Sequence, residues 1–222
     1  HSFTYSELNQ KALLNSLPTW GAWLIVYALI LTAYFNHRVA VKNHNLMIKD
    51  VLTGILNRRG LALELDDALE QLESVGRNYA VMIADIDFFK RVNDEFGHDI
   101  GDVVIRTTAK RIQASLREDS ILSRWGGEEF LVVVPNVEQS TAEQIAERLR
   151  ANIEATSFPQ IDKVVTISIG VTIESKAKAF NDAIKRADAA LYQAKEGGRN
   201  QVRFIEKQSR MAEKKQKPSS IA

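Results

Sequence analysis

Two acidic pairs carry the residue types that do chemistry. "ADIDFFK" (84–90) places Asp85 and Asp87 at what reads as a strand end, and "RWGGEEF" (124–130) places Glu128 and Glu129 behind two glycines. A strand pair gains nothing from two glycines and two adjacent carboxylates in mid-run, so this stretch reads as a tight turn that a ligand or another backbone approaches closely. Successive strand side chains point to opposite faces, so one carboxylate of the pair reaches a site that the other does not. Asp85 and Glu128, brought together, offer oxygen donors suited to Mg²⁺. Lys90 follows the first pair, and "YQAKEGGRN" (192–200) adds Lys195 and Arg199 around a second glycine pair. Such cations grip phosphate. Carboxylate-held metal with lysine and arginine is equipment for phosphoryl or nucleotidyl transfer, a reaction that rests on positioning and charge neutralisation.

Each stretch also has a plainer reading. Acids at a strand end can form a solvated rim, "GGRN" can be a helix end followed by a turn, and "NDEFGHDIGD" can be a polar loop entering a helix. Their combination is what points to a site.

The elements that must position these residues follow from periodicity. Leu61, Leu65, Leu69 and Leu72 recur at helical spacing, giving an amphipathic helix that ends near Gly76. Strands are expected at 79–87, at 121–125 and 130–135 as a hairpin around the glycines, at 164–172 and at 201–205. Further helices are expected over 101–116, 141–155 (from a Ser/Thr cap) and 180–195. The order β-α-β-β-α-β predicts an α+β, ferredoxin-like fold with extra helices, in which the first strand lies beside the hairpin.

Composition sets the limits. A chain of 222 residues with 45% hydrophobic residues holds one ordinary domain plus an appendage, and a net charge of +1 gives no basic field for nucleic acid. The absence of cysteine removes disulfides, thiolate nucleophiles and cysteine zinc sites. No charged residue occurs between Ala12 and Asn36, and Pro18–Phe35 reads "PTWGAWLIVYALILTAYF". Eighteen helical residues at ~1.5 Å each span ~27 Å, close to the hydrocarbon thickness of a bilayer. Trp20, Trp23 and Tyr34 stand near its ends, and Arg38 and Lys42 follow as a basic flank. The sequence thus predicts a short extracytoplasmic segment (1–17), one transmembrane helix (18–36), a helical linker (37–49), a catalytic domain (50–206) and a disordered basic tail (207–222).

The motifs together resemble the GGDEF diguanylate cyclases, in the variant with Glu at the third signature position. "DVLTGILNRR" (50–59), "DIDFFKRVNDEFGHDIGD" (85–102), "RWGGEEF", "ISIGV" (167–171) and "ADAALYQAKEGGRN" (187–200) stand in the family's order, covering about residues 48–205. The resemblance implies a nucleotidyl-cyclase palm that condenses two GTP into cyclic di-GMP with release of two pyrophosphates. It implies a homodimer with one GTP per subunit at the bacterial inner membrane, with the catalytic domain cytoplasmic. Asp85 and Glu128, with the Ile86 carbonyl, would hold Mg²⁺ (or Mn²⁺), and Glu129 would help to deprotonate the attacking 3′-hydroxyl. Phe88, Phe89, Lys90, Lys195 and Arg199 would bind phosphates, and Asn93 and Asp102 would read guanine, with His98 also among the substrate-binding residues. A carboxylate suits guanine, whose N1–H and N2–H₂ are donors. Asp50 and the "NRR" arginines resemble a hinge between linker and core.

One stretch departs from the family. Where many relatives carry R-x-x-D, an inhibitory product site, this chain has "REDS", so Arg117 matches but Ser120 stands in the aspartate's place. That argues against product inhibition there. A rival reading keeps the fold and makes the chain a catalytically silent GTP-binding or cyclic di-GMP-responsive membrane module. Residues 1–15 are too few for a sensor, so the element that sets dimer geometry is expected upstream or in a partner.

Overall fold

"YAVMIADI" has no charged side chain before Asp85, as expected of a strand covered on both faces. In the computed structural model, which describes residues 20, 21, 23–39, 47–158 and 160–207, it is β2 (Tyr79–Ile86), which follows β1 (Leu56–Asn57) along the chain and lies inside a six-stranded sheet.

 All eight residues of β2 are buried.

The remaining elements are α2 (Arg58–Ser74), α3 (Phe89–Phe96), α4 (His98–Ser115), β3 (Ile121–Arg124), β4 (Glu129–Pro135), α5 (Gln139–Glu154), β5 (Ile167–Glu174), α6 (Phe180–Glu196) and β6 (Val202–Phe204). The sheet order is β1-β3-β4-β2-β5-β6. β2 pairs antiparallel with β4 and with β5, while β1–β3 and β5–β6 are parallel, so the sheet is mixed. The first long strand does lie beside the hairpin, and the α+β core has the expected β-α-β-β-α-β order.

Alternation along β2 builds two cores. Ala80, Met82, Ala84 and Ile86 face a cluster that includes Val104, Ile105 and Ile112 of α4 and Ile145 and Leu149 of α5. Tyr79, Val81 and Ile83 face Leu61, Leu65 and Leu69 of α2 and Ala183, Ala187 and Leu191 of α6. Each of those leucines, fully buried, contributes about 1.5–3 kcal/mol.

Several local expectations are corrected. No helix is expected between the strand at 79–87 and the helix at 101–116, yet Phe89–Phe96 forms α3, and a two-residue strand, β1, precedes α2. α5 starts at Gln139 with Glu138 as N-cap and no side-chain cap bond, not from a Ser/Thr cap. The strand expected at 164–172 lies at Ile167–Glu174.

The chain divides at Met47/Ile48 into two units. In the first, helix α1 is described at residues 20, 21 and 23–39, with Trp20, Trp23, Leu24 and Ile25 exposed. Among the described residues no helix is long and apolar enough to cross a membrane. The transmembrane expectation for 18–36 is therefore not met by them. The uninterrupted helix at 23–39 closes on polar Asn36, His37 and Arg38, and residues 18, 19 and 22 lie outside the described residues. So do segment 1–17, linker residues 40–46 and the tail from 208.

Candidate active site

The β2–β4 ladder places Asp85 directly opposite Glu129. One step on, the Ile86 N–H donates to the Glu128 carbonyl at 3.3 Å, so the acidic pair of the hairpin closes over the end of β2. Asp85 is 5% exposed, and the Lys195 ammonium reaches its Oδ2 at 3.0 Å from the last turn of α6. Burial pushes the Asp85 carboxyl up to about 6; Lys195 pulls it down, and Glu128 and Glu129 add to the rise.

The hairpin turn is tied from two directions. The Trp125 and Gly126 N–H groups both donate to the Glu129 carbonyl, at 2.8 and 3.2 Å. Arg124 donates to the Gly127 carbonyl from Nε and Nη2, at 3.1 and 2.6 Å, and its Nη1 meets both Asp50 oxygens at 3.1 Å. Asp50 thus pairs with the signature arginine, while Arg58 of "NRR" stacks 4.1 Å from the Trp125 ring centroid. The signature glycines divide the space around them. A Cβ on Gly126 would collide with the Glu129 carboxylate, whereas Gly127 faces open space.

Beyond β2 the chain turns sharply at Phe88, a non-glycine residue in the left-handed region (φ 55°). Backbone held there costs on the order of 1–3 kcal/mol, so the surroundings must enforce it. The turn starts α3, whose first amides, at Phe89 and Lys90, have no intrahelical acceptor and are disposed for anions. Two guanidinium groups, Arg91 and Arg199, each lie 4.5 Å from the centroid of the exposed Phe88 ring. Phe89 is buried beneath, and Lys90 is exposed.

α3 and α4 meet at Gly97 (φ 84°), with His98 opening α4 on the exposed side. Asn93 packs so closely on α4 that a Cβ on Gly101 would clash with its Oδ1. The half-buried Asp102 is the next residue along α4. Arg199 sits in a turn where Gly198, Arg199 and Asn200 all have positive φ.

Sequence reasoning gave no role to Asp87. It is 5% exposed and accepts from Thr166 Oγ1 (2.7 Å), Ser168 Oγ (2.7 Å) and the Asn200 N–H (3.0 Å). Its partners lie 79, 81 and 113 residues away, and the only local signal was its place beside Asp85 in "ADIDFFK". Arg91 was also missed.

Among the described residues no three acidic or histidine side chains form a ready metal cage. The donors present are nonetheless all oxygen, and Asp85 is a buried carboxylate in want of positive charge. This fits a hard divalent cation such as Mg²⁺, which is held by one or two carboxylates plus substrate phosphates and water.

Residues 47–201 match the GGDEF family, described as diguanylate cyclase, GGDEF domain. The chain belongs to the GGDEF family. It is 41% identical over 162 residues to the response regulator PleD of Caulobacter vibrioides, covering 71% of this chain and 36% of that protein. It is 42% identical over 163 residues to the probable diguanylate cyclase DgcT of Escherichia coli, with the same coverage of each. The chain thus spans about a third of the length of these curated relatives. Its structure is similar to the coiled coil and GGDEF domain of DgcB from Caulobacter crescentus in complex with c-di-GMP, with a TM-score of 0.75 at 29% identity, covering 86% of this chain and 100% of that one. It is also similar to the active GGEEF domain of a diguanylate cyclase from Vibrio cholerae (TM-score 0.63, 33% identity, 69% of this chain and 98% of that one). This GGDEF domain carries the same GGEEF lettering at Gly126–Phe130.

Proposed function

We propose that this protein is a diguanylate cyclase, joining two GTP into cyclic di-GMP with release of two pyrophosphates. The observation that carries the reading is the end of β2, where Asp85 meets Lys195 and feels the charges of Glu128 and Glu129, and where Phe88, three residues on, holds Arg91 and Arg199 near its ring. Acids on one side and phosphate-binding cations on the other are what in-line attack at an α-phosphorus requires.

In this reading Lys90, Lys195, Arg199 and the first amides of α3 hold the triphosphate, and Asn93 and Asp102 receive guanine. Asp85 and Glu128, with the Ile86 carbonyl, hold a divalent cation, Mg²⁺ or in its place Mn²⁺, which when bound neutralises phosphate charge. Glu129 accepts the proton as the 3′-oxygen of one GTP bonds to the α-phosphorus of the other and the bond to pyrophosphate breaks. One cradle per subunit serves one GTP. Two equal steps therefore need two subunits face to face, and a homodimer is part of the proposal.

Arg117 bears on regulation. It pairs with Asp119 at 3.3 Å and donates to the Pro135 carbonyl at 2.7 Å, and Ser120 stands where relatives carry aspartate. We take product inhibition through that position to be absent, and pairing to be set by an upstream segment or a partner. The charge-free run 18–35 with Arg38 and Lys42 behind it supports attachment to the bacterial inner membrane, with the GGDEF unit cytoplasmic. Recovery of the full chain in the soluble fraction of detergent-free lysate would overturn that attachment.

Incubation with GTP and Mg²⁺ at two protein concentrations, read by mass spectrometry, tests the activity. Cyclic di-GMP formed at a rate per subunit that rises with concentration is the expected result. Bound GTP without product would favour the silent module instead.

A further inference from the structure

Asp87 is a buried carboxylate whose partners at its two oxygens are neutral donors. Oδ1 accepts from Ser168 Oγ, and Oδ2 from Thr166 Oγ1 and the Asn200 N–H. Its own N–H donates to the Thr166 carbonyl at 2.9 Å. Asp85, two residues earlier, faces Glu129 and Lys195, whereas Asp87 is directed at the start of β5 and the turn after α6. The two aspartates of "DID" thus serve different neighbours.

What Asp87 fastens is the turn that carries Arg199. Arg199 (φ 65°) and Asn200 (φ 44°) are consecutive non-glycine residues in the left-handed region, so the turn needs outside support. Asn200 receives it on two sides. Its N–H is held by Asp87, and its side chain is held by α5, where Arg150 Nη1 donates to Oδ1 and Nδ2 donates to Glu154 Oε1, each at 2.7 Å. The Arg199 N–H returns to the Ala194 carbonyl at 3.0 Å, which fixes the direction in which its side chain leaves. The guanidinium then lies over Phe88, at the entrance to α3.

We propose that Asp87 is a positioning residue for substrate binding: it locks the Gly198–Asn200 turn so that Arg199 meets the GTP phosphates above Phe88. This rests on reading Arg199 as a phosphate-binding residue. Asp87 touches neither GTP nor its metal. With two donors on Oδ2 and one on Oδ1, its lone pairs are directed into the protein rather than into the cleft.

The test is a double-mutant cycle on the full chain with Mg²⁺, at a protein concentration where the rate per subunit no longer rises. The constants kcat and KM for GTP are measured by pyrophosphate release for wild type, Asp87→Ala, Arg199→Ala and the double variant. Asp87→Ala removes both oxygens, so the Asn200 N–H loses its acceptor; asparagine would not serve, because its amide nitrogen can donate to Ser168 Oγ and leave its oxygen to Asn200. The expected result is a KM raised by ~10-fold with kcat within ~3-fold, for Asp87→Ala and Arg199→Ala alike, and a double variant no worse than Arg199→Ala alone. Equal, multiplicative losses in both backgrounds would overturn the proposal, because Asp87 would then act independently of Arg199. A collapsed kcat with altered Mg²⁺ dependence and unchanged KM would also overturn it, by placing Asp87 with the metal. Arg199→Ala with unchanged KM would instead remove the reading of Arg199 on which the proposal stands. Should Asp87→Ala not fold, Thr166→Val removes one bond to the same carboxylate at constant shape. It is expected to raise KM by ~3-fold in the wild-type background and not in Arg199→Ala; the same rise in both backgrounds would overturn the proposal.

Discussion

β2 and β5 run side by side through the molecule, and each end of the pair buries a carboxylate. At one end Glu174, 1% exposed, is met by Arg186 Nη2 at 3.1 Å, by Lys207, and by the Ser175 and Lys176 N–H groups at 2.8 and 3.1 Å. Burial works against its charge, yet Lys207 and those two amides hold it below the usual carboxylate range. At the other end Asp85, nearly as buried, has Lys195 beside it and two glutamates that raise it further, and it sits at about 6. A buried acid surrounded by donors on all sides is part of the scaffold. A buried acid held above its ordinary value among other acids is poised to take up a cation.

Removing an acid at the Asp85 end should produce the largest effect. Asp85→Ala or Glu128→Ala is expected to cut cyclic di-GMP formation by at least ~10³-fold, the several kcal/mol that charge stabilisation supplies. The melting temperature should hold or rise, because the Asp85 carboxylate is costly where it is. Wild-type turnover in either variant would remove the metal assignment. Glu174→Gln should do the opposite. Leaving Arg186 and Lys207 without their shared anion is expected to destabilise the fold by about 3 kcal/mol, while kcat of the folded fraction stays near wild type. Denaturant unfolding and turnover, measured on the same samples, separate the two ends.

The two acids should also respond to pH with opposite sign. The Asp85 carboxyl is raised in the fold, from an ordinary 3.8 to about 6. Its unfolded form therefore releases its proton first, and metal-free stability falls as pH rises from about 4 through 6, by on the order of 2–3 kcal/mol. Glu174 is lowered in the fold, so its contribution is present above its ordinary 4.5 and is lost as pH falls through the lower folded value. In metal-free unfolding between pH 3 and 7, Asp85→Asn should flatten the decline above pH 4, and Glu174→Gln the loss on the acid side. A single shared pH dependence in both variants would dissolve the distinction between the ends.

The sequence made the scaffold legible where the signal is local. The leucines at 61, 65 and 69 marked α2, the apolar run at 79–86 marked the buried strand, and the signature marked the hairpin. Legibility failed where distant partners decide. The expected strand stopped at Thr172, but Arg186 and Lys207, 12 and 33 residues beyond Glu174, let β5 run on to carry that buried acid. Val164 looked like strand but is exposed. α3 is eight residues long and enters through a left-handed Phe88, too short and too abrupt for periodicity to mark. Of the acids, Asp85, Glu128 and Glu129 were visible by their spacing, whereas the surroundings of Asp87 come from β5 and the turn after α6.

Asp102 sharpens the comparison with the smallest expected effect. It is half-buried in the first turns of α4, where a negative charge near a helix N-terminus contributes only about 0.3–1 kcal/mol to the fold. A carboxylate that accepts from guanine N1–H and N2–H₂ contributes about 1.5–3 kcal/mol to binding, because a hydrogen bond to a charged group is the stronger kind. Asp102→Ala should therefore weaken GTP binding by ~10-fold or more, in calorimetric titration with Mg²⁺, while moving the melting temperature by only a few degrees. It should also narrow the preference for GTP over ATP, since adenine offers no matching pair of donors at that edge. A stability loss matching the binding loss, with the preference for GTP unchanged, would assign Asp102 to the scaffold alongside Glu174.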